Sequence, residues 1–96
     1  MSADNLVTLR PQGRFDFNCF RDFRSHYEAA LAQEGVQCIV VDLQQVQYID
    51  SAALGILLLL RDKATAQGVK VELANLQGTV KDVLEIANFH KIFSIR

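Results

Sequence analysis

Ninety-six residues suffice for one small domain with a single core, expected to span residues 1–96. Half of them are apolar and 22% are charged, the balance of a folded globular chain and not of a disordered one. Ten Lys+Arg against 11 Asp+Glu leave a net charge of -1 without any basic stripe, so nucleic acid is excluded as an expected partner.

The chain opens on polar Met1-Ser2-Ala3-Asp4-Asn5, and the apolar stretch that follows is too short for a secretory leader. Leu6–Arg10 suggests a first strand, Pro11-Gln12-Gly13 a turn and Arg14–Phe17 a second strand, together a hairpin. Asn18 is placed to cap a helix in which Phe20, Phe23, Tyr27, Ala30 and Leu31 recur at helical spacing, and Gly35 stops it. Cys38–Leu43 reads as a strand apolar on nearly every residue, as expected where both faces are buried. A short connector ends in Val46-Gln47-Tyr48-Ile49. The next helix is expected from Ser51 to Gln67, ending at Gly68.

Val69–Leu73 alternates apolar and polar, the mark of a strand with one face toward solvent. Thr79 and Asp82 resemble a capping box opening a third helix with Val80, Val83, Leu84 and Ala87 as its apolar stripe. Ile92–Ile95 closes the chain as a short strand. The order ββαβαβαβ points to the α/β class: a mixed, largely parallel sheet with helices packed against it.

Little in the chain speaks for catalysis. Phosphate-loop and dinucleotide glycine patterns are absent, and no Ser/His/Asp or Cys/His set is suggested. His26 and His90 read as surface residues. Cys19 and Cys38 stand alone, outside any metal or redox spacing, and read as small buried hydrophobes. No metal or cofactor is expected. The longest apolar run, Ile49–Leu60, is broken by Asp50 and Ser51 and is far below the ~20 residues of a membrane span. A cytoplasmic protein without membrane insertion is the expectation.

The most informative stretch is Asp50-Ser51-Ala52-Ala53-Leu54-Gly55, at the start of the second helix. Ser is a preferred N-cap, since its hydroxyl accepts from a free N–H of the first turn. The same position favours a phosphate, because those N–H groups and the helix dipole point at it. Ser51 can thus be a plain cap or a site of regulated phosphorylation. At ~100° per residue, Ala53, Ile56, Leu57, Leu60 and Ala64 form the core face. Gly55, Leu58 and Asp62 gather near the direction of Ser51, flanked by Leu54 and Leu59. These leucines either tuck under neighbouring segments or form an exposed patch for a partner. A phosphate there would meet Asp50, and also Asp16 if the second strand neighbours the third.

Two elements resemble the STAS domain (sulfate transporter and anti-sigma factor antagonist), and within it the bacterial anti-sigma factor antagonists. Gly13-Arg14-Phe15-Asp16 stands where that family has Gly-x-Leu-Asp, and Asp50-Ser51-Ala52-Ala53-Leu54-Gly55 where it has Asp-Ser-Ser-Gly-Leu-Gly. The resemblance covers roughly residues 6–95, without the family's C-terminal helix. It implies a non-enzymatic protein with Ser51 as phosphoacceptor, Asp16 and Asp50 beside it, and Ala52, Leu54, Gly55, Leu58, Leu59 and Asp62 meeting the partner. Ala52 and Ala53 replace Ser and Gly, so no second hydroxyl can stand in for Ser51.

The resemblance also implies partner switching. The unphosphorylated antagonist would bind an anti-sigma factor that is itself a serine kinase of the histidine-kinase-like ATPase fold, freeing that factor's target. Phosphorylation would release it, and a metal-dependent serine phosphatase would reset it. An alternative within the family is an accessory subunit bound to the ATPase of a bacterial ABC (lipid) transporter, for which the helix face would be a permanent interface.

Overall fold

The computed structural model describes residues 5–96; the polar stretch at positions 1–4 lies outside the described residues. Six strands and three helices follow in the order ββαββαβαβ: β1 (Leu6–Leu9), β2 (Gly13–Phe15), α1 (Phe20–Ala32), β3 (Cys38–Asp42), β4 (Val46–Ile49), α2 (Ser51–Ala66), β5 (Lys70–Ala74), α3 (Gly78–Ile86) and β6 (Ser94–Ile95). The expected α/β architecture is present, with one strand more than expected. Strands β1-β3-β5-β6 form a parallel sheet in that order, and β2 and β4 form a separate parallel pair.

The hairpin between the first two strands is not formed. β1 pairs with β3, and β2 pairs with β4, the segment read as a connector. Pro-x-Gly marks a change of direction but does not fix which strand the chain joins next. Here Gly13, at φ +68°, starts β2 with its N–H donating to the Gln45 carbonyl at 2.9 Å. Burial decides the pairing: Phe15 and Ile49 lie opposite each other and both enter the core. Burying a phenylalanine is worth ~1.5–3 kcal/mol, which outweighs the preference of a three-residue turn.

The core lies between the sheet and the inward faces of α1 and α2. From α1 it takes Phe23, Tyr27, Ala30 and Leu31, while Phe20 is only half-buried. Phe15 and Phe23 approach to 5.0 Å between ring centroids, and Phe23 meets Tyr27 edge-on at 5.8 Å. From α2 it takes Ala53, Ile56, Leu57, Leu60 and Ala64, the face set by the 3.6-residue period. In β3, consecutive Ile39, Val40 and Val41 are all buried, as a two-sided strand requires. In β5 the apolar Val71 and Leu73 are buried, while Glu72 between them is half-buried and bound by Lys70 at 3.1 Å and by Arg96.

Three helix starts differ from expectation. Before α1, a 3-10 turn over Phe17–Cys19 intervenes, and Asp16, not Asn18, supplies the cap by accepting from the Asn18 N–H at 3.0 Å. α2 is capped by Asp50, as described below. α3 begins one residue before Thr79 with no side-chain cap, so the Thr79–Asp82 box is not formed. Gln77, in the cap position, instead donates its amide across to the Gln44 carbonyl at 3.0 Å. At the chain end, Phe89–Lys91 forms a 3-10 turn, buried Phe89 and Phe93 stack at 5.3 Å, and only Ser94–Ile95 is strand. Neither cysteine is fully buried; both are half-buried free thiols.

Candidate functional site

Parallel strands end together, and the β2–β4 pair uses this to gather the residues of interest. Arg14 lies opposite Tyr48 and Phe15 opposite Ile49. One residue further, the chains leave the pair at Asp16 and Asp50. Phe15 and Ile49 are buried while Arg14 and Tyr48, opposite each other, are exposed; beyond the strands Asp16 is almost fully buried and Asp50 half-buried. The strand beside β2 is β4 and not β3, and its register brings Asp16 and Asp50 out at the same end of the pair.

Each carboxylate has a structural task. Asp50, extended at φ -125° and ψ -177°, accepts from the Ala53 N–H at 3.0 Å and caps α2. Ser51 is thus the first helical residue and not the cap. Aspartate takes the task because its side chain leaves the strand pointing over the first turn, three residues before its donor. Ser51 remains exposed at the positive end of a 16-residue helix. Asp16 is 8% exposed; its Oδ1 accepts from the Asn18 N–H, and its Oδ2 accepts from Arg14 Nε at 3.3 Å. The Cys19 thiol donates to the Arg14 carbonyl at 2.7 Å, closing the turn.

Arg14 and Tyr48 belong to this site and escape a reading that stops at the Asp-Ser pair. The Arg14 guanidinium lies 4.1 Å from the Tyr48 ring centroid, a cation–π contact on an exposed aromatic. The sequence marks them only through Tyr48, an aromatic in a segment whose ends, Val46 and Ile49, are buried while Gln47 and Tyr48 are exposed.

The helix face running from Ser51 is open. Gly55, Leu58 and Asp62 are exposed along it, Leu58 to 36%, and the adjacent Leu59 is 46% exposed. Leu54 and Ala52 are half-buried, with Leu54 packed against the core. Two of the three leucines therefore form an apolar patch, its near edge about 10 Å from Ser51 by helical rise. On its far side, Arg61 Nε donates to the Ile92 carbonyl at 2.9 Å, and Lys63 bridges to Glu28 of α1 at 3.0 Å. These bonds hold α2 to its neighbours.

A cleft of about 650 Å³ opens on the other side of Asp16, walled by Leu9, Arg10, Arg14, Cys19, Phe23 and His26 among others. Ser51 is not among its walls. Among the described residues no group of three His, Cys, Asp or Glu side chains is placed to hold a metal. Among them, too, no helix is long and apolar enough to cross a membrane. His26 and His90 are exposed.

Comparison with known proteins finds the STAS domain over residues 2–96. A STAS-domain containing protein of Pseudomonas aeruginosa (strain UCBPP-PA14) is 44% identical over 95 residues, covering 98% of this chain and 92% of that protein. The fold is that of the anti-sigma factor antagonist SpoIIAA in its unphosphorylated form, with a TM-score of 0.72 at 20% identity over 100% of this chain and 83% of that one. SpoIIAA from Bacillus in its phosphorylated form matches with the same score and identity, over 100% of this chain and 86% of that one. The STAS domain of a SulP transporter from Vibrio cholerae has a TM-score of 0.76 at 20% identity, over 98% of this chain and 72% of that one.

Proposed function

This chain belongs to the STAS domain family, and we propose that it acts there as an anti-sigma factor antagonist switched by phosphorylation of Ser51. The observation carrying this reading is the division of labour at α2: Asp50 makes the cap, and Ser51 stands exposed beside it. A hydroxyl freed from capping is available to a kinase without cost to the helix. A phosphate added there faces the helix N-terminus, which favours it, and two carboxylates, which do not. The product is tolerated by the fold while the surface around it becomes more negative.

In the unphosphorylated state, the α2 face with Ala52, Leu54, Gly55, Leu58, Leu59 and Asp62 docks on an anti-sigma factor of the histidine-kinase-like ATPase fold. Covering Leu58 and Leu59 contributes on the order of 2–4 kcal/mol, discounted for what is already buried and before association costs. The kinase transfers the γ-phosphoryl group of ATP to Ser51 Oγ, and the dianion must then be desolvated against Asp50 and Asp16, so the complex dissociates. A metal-dependent serine phosphatase restores the hydroxyl. The chain is the substrate of both enzymes, and acts in the cytoplasm.

The test is phosphorylation followed by binding. Incubation with the source organism's kinase of this class and ATP should add one phosphate to the wild type and none to Ser51→Ala. The unmodified protein should bind that kinase, and the phosphorylated form should bind it at least tenfold more weakly by calorimetry. Equal affinities remove the switch.

A second reading rests on apolar surface outside α2, with Ile86 81% exposed at the end of α3 and Ile92 40% exposed. It makes the chain a constitutive accessory subunit on the ATPase of an ABC lipid transporter. Capture of such an ATPase equally by wild type and Ser51→Asp would select it.

A further inference from the structure

We propose that Arg14 is the intramolecular counter-ion of a phosphate on Ser51, exchanging its bond to Asp16 for one to the phosphoryl oxygens; this rests on Ser51 phosphorylation as read above. Arg14 is a cation fixed on the outer face of the β2–β4 pair, with its Nε on Asp16 at 3.3 Å and its guanidinium over Tyr48 at 4.1 Å. Its side chain is 67% exposed, so it turns without disturbing the core. The distance is within reach. Adjacent strands are about 4.8 Å apart and rise about 3.3 Å per residue, so Arg14 and Asp50 are about 8 Å apart between backbones, with Ser51 one residue on. An arginine side chain and a phosphoserine together span that gap.

Charge explains the exchange. Where β2 and β4 end stand two carboxylates, Asp16 and Asp50, and one cation, Arg14; α3, which packs against β4, carries Lys81, Asp82 and Glu85 at exposed positions, so the set is net negative. A phosphate of charge about -2 there meets a net negative region in which Arg14 is the cation beside the two carboxylates. Arginine prefers a phosphate, which offers more oxygens and more charge than a carboxylate and accepts two parallel N–H bonds. Asp16 keeps its bond from the Asn18 N–H, so the turn at Phe17–Cys19 survives the loss of Arg14.

The experiment installs phosphoserine at position 51 by genetic encoding, so that no kinase is needed, and follows the phosphate by 31P NMR from pH 4 to 9. In the otherwise wild-type protein Arg14 should hold the second ionisation below that in Arg14→Gln by about 0.5–1 pH unit. Arg24→Gln, which removes a distant exposed arginine from α1, should leave it unchanged. Midpoints agreeing within about 0.2 unit between wild type and Arg14→Gln would overturn the proposal, as would an equal rise in Arg24→Gln. Either result leaves phosphorylation at Ser51 standing, while a kinase that ignores Ser51 would leave this coupling measurable.

Discussion

Phe15 and Ile49 lie opposite each other in the β2–β4 pair, and the residues after them, Asp16 and Asp50, leave the strands side by side at the same end. The place of Arg14 and Asp16 beside the start of α2 depends on that register. A one-residue slip would turn Asp16 into the core and Phe15 out of it.

The division between Asp50 and Ser51 is directly measurable. Asp50→Ala should destabilise the protein by about 1 kcal/mol through loss of the α2 cap. Ser51→Ala should change stability by no more than about 0.5 kcal/mol, as at most exposed positions. Urea denaturation of the two variants checks both, and reversed magnitudes would return the cap to Ser51.

Phe15 joins β2 to α1 through Phe23, 5.0 Å away, and is fully buried. Phe15→Ala should cost about 3–5 kcal/mol, a large part of the stability of a domain this size. Its thermal midpoint should fall steeply, whereas Phe17→Ala, at a residue 72% exposed, should leave it nearly unchanged.

The apolar patch on α2 should separate binding from folding. Leu58→Glu and Leu59→Glu should retain the circular dichroism spectrum and melting temperature within a few degrees, yet lose partner binding by at least tenfold. Leu60→Ala, one residue on and fully buried, should cost about 2–5 kcal/mol. A patch variant that binds normally removes these leucines from the interface.

Acid should destabilise the fold through Asp42 and Glu72. Asp42 is held below the usual carboxylate range by the Asn75 side-chain amide first, then the Gln44 N–H. Glu72 is held low chiefly by its bond to Lys70 and further by Arg96. A carboxylate depressed in the folded state binds fewer protons there than in the unfolded chain. Its contribution is therefore complete above the unfolded value, near pH 4, and is lost as pH falls through the lower folded value. Urea midpoints measured between pH 6 and 2.5 should decline below about pH 4, less steeply in Asp42→Asn.

The sequence by itself determined the three helices, the two-sided strand β3 and the core face of α2. Ala53, Ile56, Leu57, Leu60 and Ala64 line the core because a 3.6-residue period is written in neighbouring positions, and helix hydrogen bonds join residues four apart. The consecutive burial of Ile39, Val40 and Val41 was legible because an unbroken apolar run marks a strand covered on both faces. Only the tertiary structure decided that β2 pairs with β4, that Asp50 rather than Ser51 caps α2, and that Arg14 rests on Tyr48. The β2–β4 pairing joins residues more than thirty positions apart, and its choice is made by which side chains the assembled core buries. The cap depends on the angle at which β4 delivers the chain to α2, and the Arg14–Tyr48 contact on a register that appears once both strands are in place.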